Sequence, residues 1–235
     1  MIQQEFVDTV ATAAMNYNEA VQAQAATIAQ ELSVWDLAMR GGWIMIPLAI
    51  LSLVCIYVFV ERCLALRRAQ KEDDSFMDRI REYIHDGEID SARRLCSKTD
   101  TPYARLIGKG ISRIGRPMND VLVTIENTGN IEIAALEKGL PWLATTAAGG
   151  PMIGFLGTVI GMVQAFFNLA SAGSSANIAV LADGIYSALV TTVAGLIVGL
   201  IAMFAYNYLV ARINKVMNAL EAKTMEFMDL LNEPA

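Results

Sequence analysis

Fourteen of the eighteen Lys and Arg residues, from Arg62 to Lys138, lie between the first and second of three long apolar stretches. Arg212, Lys215 and Lys223 follow the third stretch, Arg40 precedes the first, and none falls between the second and third. Basic residues near membrane spans are retained on the cytoplasmic side. The pattern therefore predicts an all-α membrane protein with three transmembrane helices. Its N-terminus lies outside, a large segment and the C-terminus lie in the cytoplasm, and long helices extend from the spans into the cytoplasm.

Composition agrees. Hydrophobic residues make up 54% of the chain and charged residues only 18%, against about a quarter in soluble domains. The mean hydropathy is +0.41. A net charge of -6 leaves no basic face to neutralise phosphates, which argues against nucleic acid as a partner. Cys55 lies within the first span, Cys63 at its cytoplasmic end and Cys96 in the cytoplasmic segment, so no disulfide framework is expected, and their spacing suggests neither a metal nor any other cofactor. The opening MIQQEFVDTV lacks a basic n-region, so the first span is expected to act as its own insertion signal.

Residues 1–40 read as a periplasmic N-terminal segment. Phe6, Val10, Tyr17, Val21, Ile28 and Leu32 stand near helical spacing, which suits a weak amphipathic helix, either solvated or docked on a membrane or partner. The first span occupies 41–61, with Trp43 at an interface and Pro47 in the first turn, where a missing N–H costs little. A cytoplasmic helical region follows over 62–141. Short helices are expected near 74–85, 88–98 and 101–114. A longer one from about Asn119 to Leu140 would run straight into the second span. The lone His85 reads as an exposed helix-end residue. The second span is placed at 142–170, a periplasmic turn at 171–184, the third span at 185–209, and a cytoplasmic C-terminal helix at 210–235.

The second and third spans are poor in Leu and Ile and rich in small residues. Gly150, Gly154, Gly157, Gly161, Gln164 and Asn168 recur at intervals of 4, 3, 4, 3 and 4, on one helical stripe. Glycines let a second backbone approach, and helices in lipid associate through such fit. Helix packing alone accounts for them. In the third span Ser187, Thr191, Gly195 and Gly199 step by four, beside a row of Ala188, Thr192 and Gly195. At ~1.5 Å rise per residue, Thr158 and Thr192 fall roughly 12–18 Å from the outer ends of their helices, at similar depth. Buried hydroxyls can also simply bond a carbonyl one turn back. No Asp, Glu, Lys, Arg or His lies inside a span, apart from those at the ends. Proton relays usually need an intramembrane titratable group, so if this chain moves ions another chain must supply that group.

The segments GGWIMIPL (41–48), LATTAAGGPMIGFLGTVIGM (143–162) and GIYSALVTTVAGLIVGLIA (184–202) resemble the ExbB/TolQ/MotA family of proton-channel, or stator, subunits, and ExbB most of all. The Pro151–Thr158 run together with the Ala188–Leu196 run is the more specific part. The resemblance implies a homo-oligomeric ring, a pentamer in ExbB-like complexes, whose second and third spans line a central passage. It implies an ExbD- or TolR-type single-span partner that supplies an intramembrane Asp, and a TonB-type protein driven in turn. The expected site is in the bacterial inner membrane. Thr158 and Thr192 match the family's channel-lining threonines, with Thr191 and Ser187 beside them on the ion pathway. Gly150, Gly154, Gly157, Gly161, Gly195 and Gly199 form the helix-packing seam. Ser187 stands where several ExbB and TolQ sequences carry Glu, which leaves both proton and Na⁺ coupling open.

The function so implied is an ion-driven motor subunit that energises TonB-dependent outer-membrane transport with the proton motive force. A TolQ-like envelope-maintenance or gliding-type stator role is the alternative. The cytoplasmic region lacks the large torque-bearing domain expected of flagellar stators. A non-conducting membrane scaffold would explain the glycines and topology but leave the threonines incidental. An enzyme is not expected, because the sequence shows no nucleophile–base pairing and no phosphate-cradling loop; glycine pairs inside a span are packing signals.

Overall fold

A computed structural model describes residues 41–70, 75–172 and 178–232. The expected N-terminal amphipathic helix lies outside the described residues, as do residues 173–177 of the expected outer turn, whereas residues 178–184 of that turn are helical. Among the described residues there are seven α-helices and no strand. They are α1 (Met45–Ala69, entered through a 3-10 turn at Gly42–Ile44), α2 (Phe76–His85), α3 (Ile89–Lys98), α4 (Pro102–Ile111), α5 (Met118–Glu137), α6 (Leu140–Ala172) and α7 (Ile178–Asn232).

Three of these, α1 with its 3-10 entry, α6 and α7, are long and apolar enough to cross a membrane. The 55 residues of α7 extend about 80 Å at 1.5 Å per residue. A hydrocarbon core is only ~30 Å thick, so more than half of α7 must project beyond it. The sequence shows why it does not stop: no Gly or Pro interrupts it after Gly199, and its charges begin again only at Arg212. The third span and the C-terminal helix are thus one rod. Large apolar side chains stay exposed along all three spans, among them Leu53 and Tyr57 on α1, Phe155 and Phe167 on α6, and Val193 and Phe204 on α7. Such surface suits hydrocarbon or a neighbouring apolar helix, not water.

The expected run from α5 straight into the second span is corrected by a break at Lys138–Gly139. Gly139 adopts φ +95°, a left-handed conformation that an L side chain rarely takes, and α6 restarts at Leu140. The short helices match the expected ones within a few residues. Thr101 caps α4, its hydroxyl accepting the Ala104 N–H at 3.3 Å, with Pro102 in the first turn. His85 is the exposed last residue of α2.

The chain divides into two compact units. One holds the described residues 41–49 and 151–196; the other holds residues 50–150 and 197–232. In α6 the division falls at Pro151, inside the helix, where the missing N–H leaves the Ala147 carbonyl without its helical donor.

The larger unit has a conventional apolar core. Ile80, Ile107, Leu209 and Phe227 are fully buried in it with Leu106, Ile111, Val121, Ile125 and Val216. Helices α4, α5 and the far part of α7 meet where Gly110 leaves room: a Cβ there would stand 2.7 Å from Phe227 Cε1 and 2.8 Å from Ile125 Cδ1. Gly110→Ala should therefore lower stability by ~1–3 kcal/mol through overpacking, read as an earlier thermal midpoint in detergent. Polar ties hold the surface: Arg105 donates both Nε and Nη2 to Glu132 at 2.7 Å and Nη1 to Asp100 at 2.5 Å, and Arg62 reaches the Ala135 carbonyl at 3.0 Å. Burial pushes the Cys96 thiol up to about 11, so it stays protonated and unreactive at neutral pH.

Candidate ion-pathway site

In the smaller unit α6 and α7 approach closely because both present small residues. A Cβ on Gly154 would lie 2.8 Å from the Thr191 carbonyl oxygen and 3.1 Å from the Cα atoms of Gly195 and Thr192. On Gly157 it would meet Thr191 Cβ at 2.8 Å, and on Gly161 Ala188 Cβ at 2.8 Å. The row then continues through Ala165, whose Cβ would stand 2.6 Å from a Cβ on Gly184. Gln164 and Asn168, which continue the stripe in the sequence, are exposed instead. The missed contact is Gly184, which the sequence placed in a turn. Helix α7 begins six residues before it. Gly150 and Gly199 are buried on α6 and α7 within the larger unit.

This close approach brings three hydroxyls onto two backbone carbonyls. Thr158 and Thr192 are hydrogen-bonded to each other through their Oγ1 atoms. Thr158 Oγ1 also lies 3.0 Å from the Ala188 carbonyl and 3.4 Å from that of Gly154. Thr192 Oγ1 donates to the Gly154 carbonyl at 3.1 Å. Thr191 Oγ1 donates to the Ala188 carbonyl at 2.7 Å and stands 3.3 Å from that of Gly154. Thr158 and Thr192 are half-buried. Thr191 is only 2% exposed, its hydroxyl turned into the helix pair beneath Gly157. Ser187 is half-buried on α7, one turn before Thr191.

The chemistry available is narrow. Among the described residues of this unit Asp183 is the one carboxyl, near the start of α7, and Tyr186 the one phenol. Among the described residues no cluster of His, Cys, Asp or Glu could hold a metal. The oxygens can orient water, accept from an acid, or line the path of a small cation; they cannot take up a proton at working pH.

Comparison with known proteins bears on this site. The model of the MotA/TolQ/ExbB proton channel family matches residues 98–222, which include all three threonines. A putative biopolymer transport protein ExbB homolog of Methanothermobacter thermautotrophicus is 28% identical over 190 residues, covering 80% of this chain and 67% of its own. The Tol-Pal system protein TolQ of Haemophilus influenzae is 29% identical over 221 residues, 87% of this chain and 96% of its own. The biopolymer transport protein ExbB of Neisseria meningitidis is 29% identical over 180 residues, 71% and 80% respectively.

Proposed function

This chain belongs to the MotA/TolQ/ExbB proton channel family, and on that premise we propose that it is the ring-forming subunit of an ion-driven motor in a bacterial inner membrane. It is a multi-pass membrane protein, since three of its helices are of spanning length and apolarity and its relatives are ExbB and TolQ proteins. The finer reading is ours: an ExbB-like homo-oligomer, most simply a pentamer, takes up an ExbD-type partner with one span and an intramembrane Asp. The basic-residue asymmetry supports an outside N-terminus and a cytoplasmic C-terminus.

The observation that carries this is the Thr158–Thr192 pair, held between two spans (142–170 and 185–209) that carry no Asp, Glu, Lys, Arg or His of their own. An ionised Asp in hydrocarbon is strongly disfavoured, and protonation removes that charge. The neutral acid can then pass the apolar part of the ring, helped by hydroxyls that replace water as hydrogen-bond partners. Release on the other side re-forms the charge. A potential of 100 mV supplies ~2.3 kcal/mol per charge, so several ions must pass for each large stroke. The favoured ion is the proton. The favoured output is the driving of a TonB-type protein for outer-membrane uptake.

The test is ion flux into lipid vesicles that hold the chain with and without an ExbD-type single-span protein. Flux that needs both, and follows a pH gradient without Na⁺, supports the reading. A silent assembled complex leaves a scaffold.

A Tol-like output is the second reading, favoured by the longer cover of the TolQ relative from Haemophilus influenzae. Deleting the gene separates the two. Lost uptake of large nutrients with an intact envelope supports the TonB-linked role. Periplasmic leakage and detergent sensitivity support the other.

A further inference from the structure

Three threonine protons compete for two carbonyl oxygens in the smaller unit, and the distances favour one order of donors. In a regular α-helix the Gly154 carbonyl already accepts the Thr158 N–H, and the Ala188 carbonyl accepts that of Thr192. A carbonyl oxygen has two lone pairs, so each keeps room for one more donor. Thr191, at 2.7 Å, takes the place on Ala188. Thr192, at 3.1 Å, takes the place on Gly154. Thr158 lies farther from both carbonyls than the hydroxyls that hold them, 3.0 Å against 2.7 Å at Ala188 and 3.4 Å against 3.1 Å at Gly154. Its proton is left with one partner, Thr192 Oγ1.

We infer that Thr191 is a positioning residue: by occupying the Ala188 carbonyl it fixes the chain Thr158→Thr192→Gly154, so that Thr158 presents only lone pairs to whatever meets it. The inference rests on the proposed function for its consequence. An oxygen with no proton to give accepts from a carboxylic acid or from water, and does nothing for a carboxylate. The threonine cluster therefore favours the protonated acid of a partner and raises the pH at which that acid holds its proton. Thr191 itself is enclosed: besides the carbonyls, a Cβ on Gly157 would meet its Cβ at 2.8 Å and one on Gly41 its Cγ2 at 3.4 Å. It acts through Thr158 and touches no ion.

Removing the Thr191 hydroxyl leaves two protons for the two carbonyl places. Thr158 can then donate to Ala188 with Thr192 donating to Thr158, and the order is lost. Val matches Thr in shape, so Thr191→Val should leave the helix pair packed, whereas Thr191→Ser keeps the proton. Among the described residues of this unit the groups that titrate are Asp183 and Tyr186. Both stand on α7 N-terminal to the cluster and are unchanged in every variant.

The first readout is proton-detected solid-state NMR of the full chain in lipid bilayers, with the Ala and Gly carbonyls labelled. The Thr191 hydroxyl proton should correlate with the Ala188 carbonyl and that of Thr192 with Gly154. A Thr158 proton on Ala188 overturns the inference. The second readout is the pH profile of flux through the complex with its Asp-bearing partner. Thr191→Val should move the midpoint down by about 0.5–1 unit, the size of one net hydrogen bond. Thr191→Ser should hold the wild-type midpoint, and Thr192→Val, which removes the acceptor of Thr158, should move it down as Thr191→Val does. Equal midpoints for Thr191→Val and wild type overturn the inference. A wild-type complex that conducts nothing refutes the proposed function instead, and the bond order is still decided by the NMR correlations.

Discussion

Replacing Thr158 with Val is expected to cut ion flux by roughly ten- to a hundredfold while the complex still assembles. The substitution keeps the shape of the side chain and removes one oxygen. For folding, the loss is that of one net hydrogen bond, about 0.5–1.5 kcal/mol, small beside the packing of α6 on α7. For an ion crossing hydrocarbon, the same oxygen replaces water at the step where a charge forms or disappears. A protonated acid left in hydrocarbon without an acceptor for its O–H costs ~1–3 kcal/mol, and each ~1.4 kcal/mol is a factor of ten in rate. Vesicle flux measured beside native mass spectrometry of the same preparation separates the two effects. Full flux in an assembled Thr158→Val complex would remove Thr158 from the pathway. Loss of both would make it a packing residue.

The spans and their small-residue faces were legible because membrane burial writes itself plainly in sequence. An uncharged run from Gly184 to Ala211 has few homes other than hydrocarbon. Similar depth for Thr158 and Thr192 followed from helical rise alone. Their direct contact did not, because rise gives height but not rotation, and the rotation is set by Gly154 lying against Gly195 and Thr192. The same limit explains the end of the seam: spacing pointed to Gln164 and Asn168, while the helix pair turns through Ala165 onto Gly184. The role of Thr191 was hidden more deeply. The sequence shows three hydroxyls, whereas the structure shows two carbonyl places and therefore one proton too many.

Helix ends were missed for a different reason. The passage from α5 to the second span carries strong helical periodicity on both sides, and one residue interrupts it. Gly139 stands there with Pro141 after it, a pair that favours a break. Long helices extending from the spans were expected, and α7 is one of them: near Arg212 only the composition changes, with the surroundings of the helix and not with its backbone. With no Gly or Pro to stop it, the rod continues to Asn232.

Gly154→Leu is expected to abolish recovery of the assembled complex, and even Gly154→Ala should destabilise the helix pair by ~1–3 kcal/mol. The reason lies in what a side chain there would meet. The three nearest atoms to a Cβ on Gly154 are all backbone, the Thr191 carbonyl oxygen at 2.8 Å and two Cα atoms at 3.1 Å. Backbone cannot rotate aside, so the helix axes must separate. Separation also parts Thr192 from the Gly154 carbonyl and Thr158 from Thr192, dismantling the hydroxyl cluster with the packing. Gly149 provides the control on the same helix: a Cβ there meets nothing within 4 Å. Gly149→Ala should be neutral or slightly stabilising, since Ala is the better helix former by up to ~1 kcal/mol. Native mass spectrometry and thermal unfolding in detergent compare the three variants. An intact oligomer with an unchanged midpoint for Gly154→Leu would show that α6 and α7 do not meet at this glycine. A collapse of Gly149→Ala to the level of Gly154→Ala would place the critical contact between protomers instead of within one.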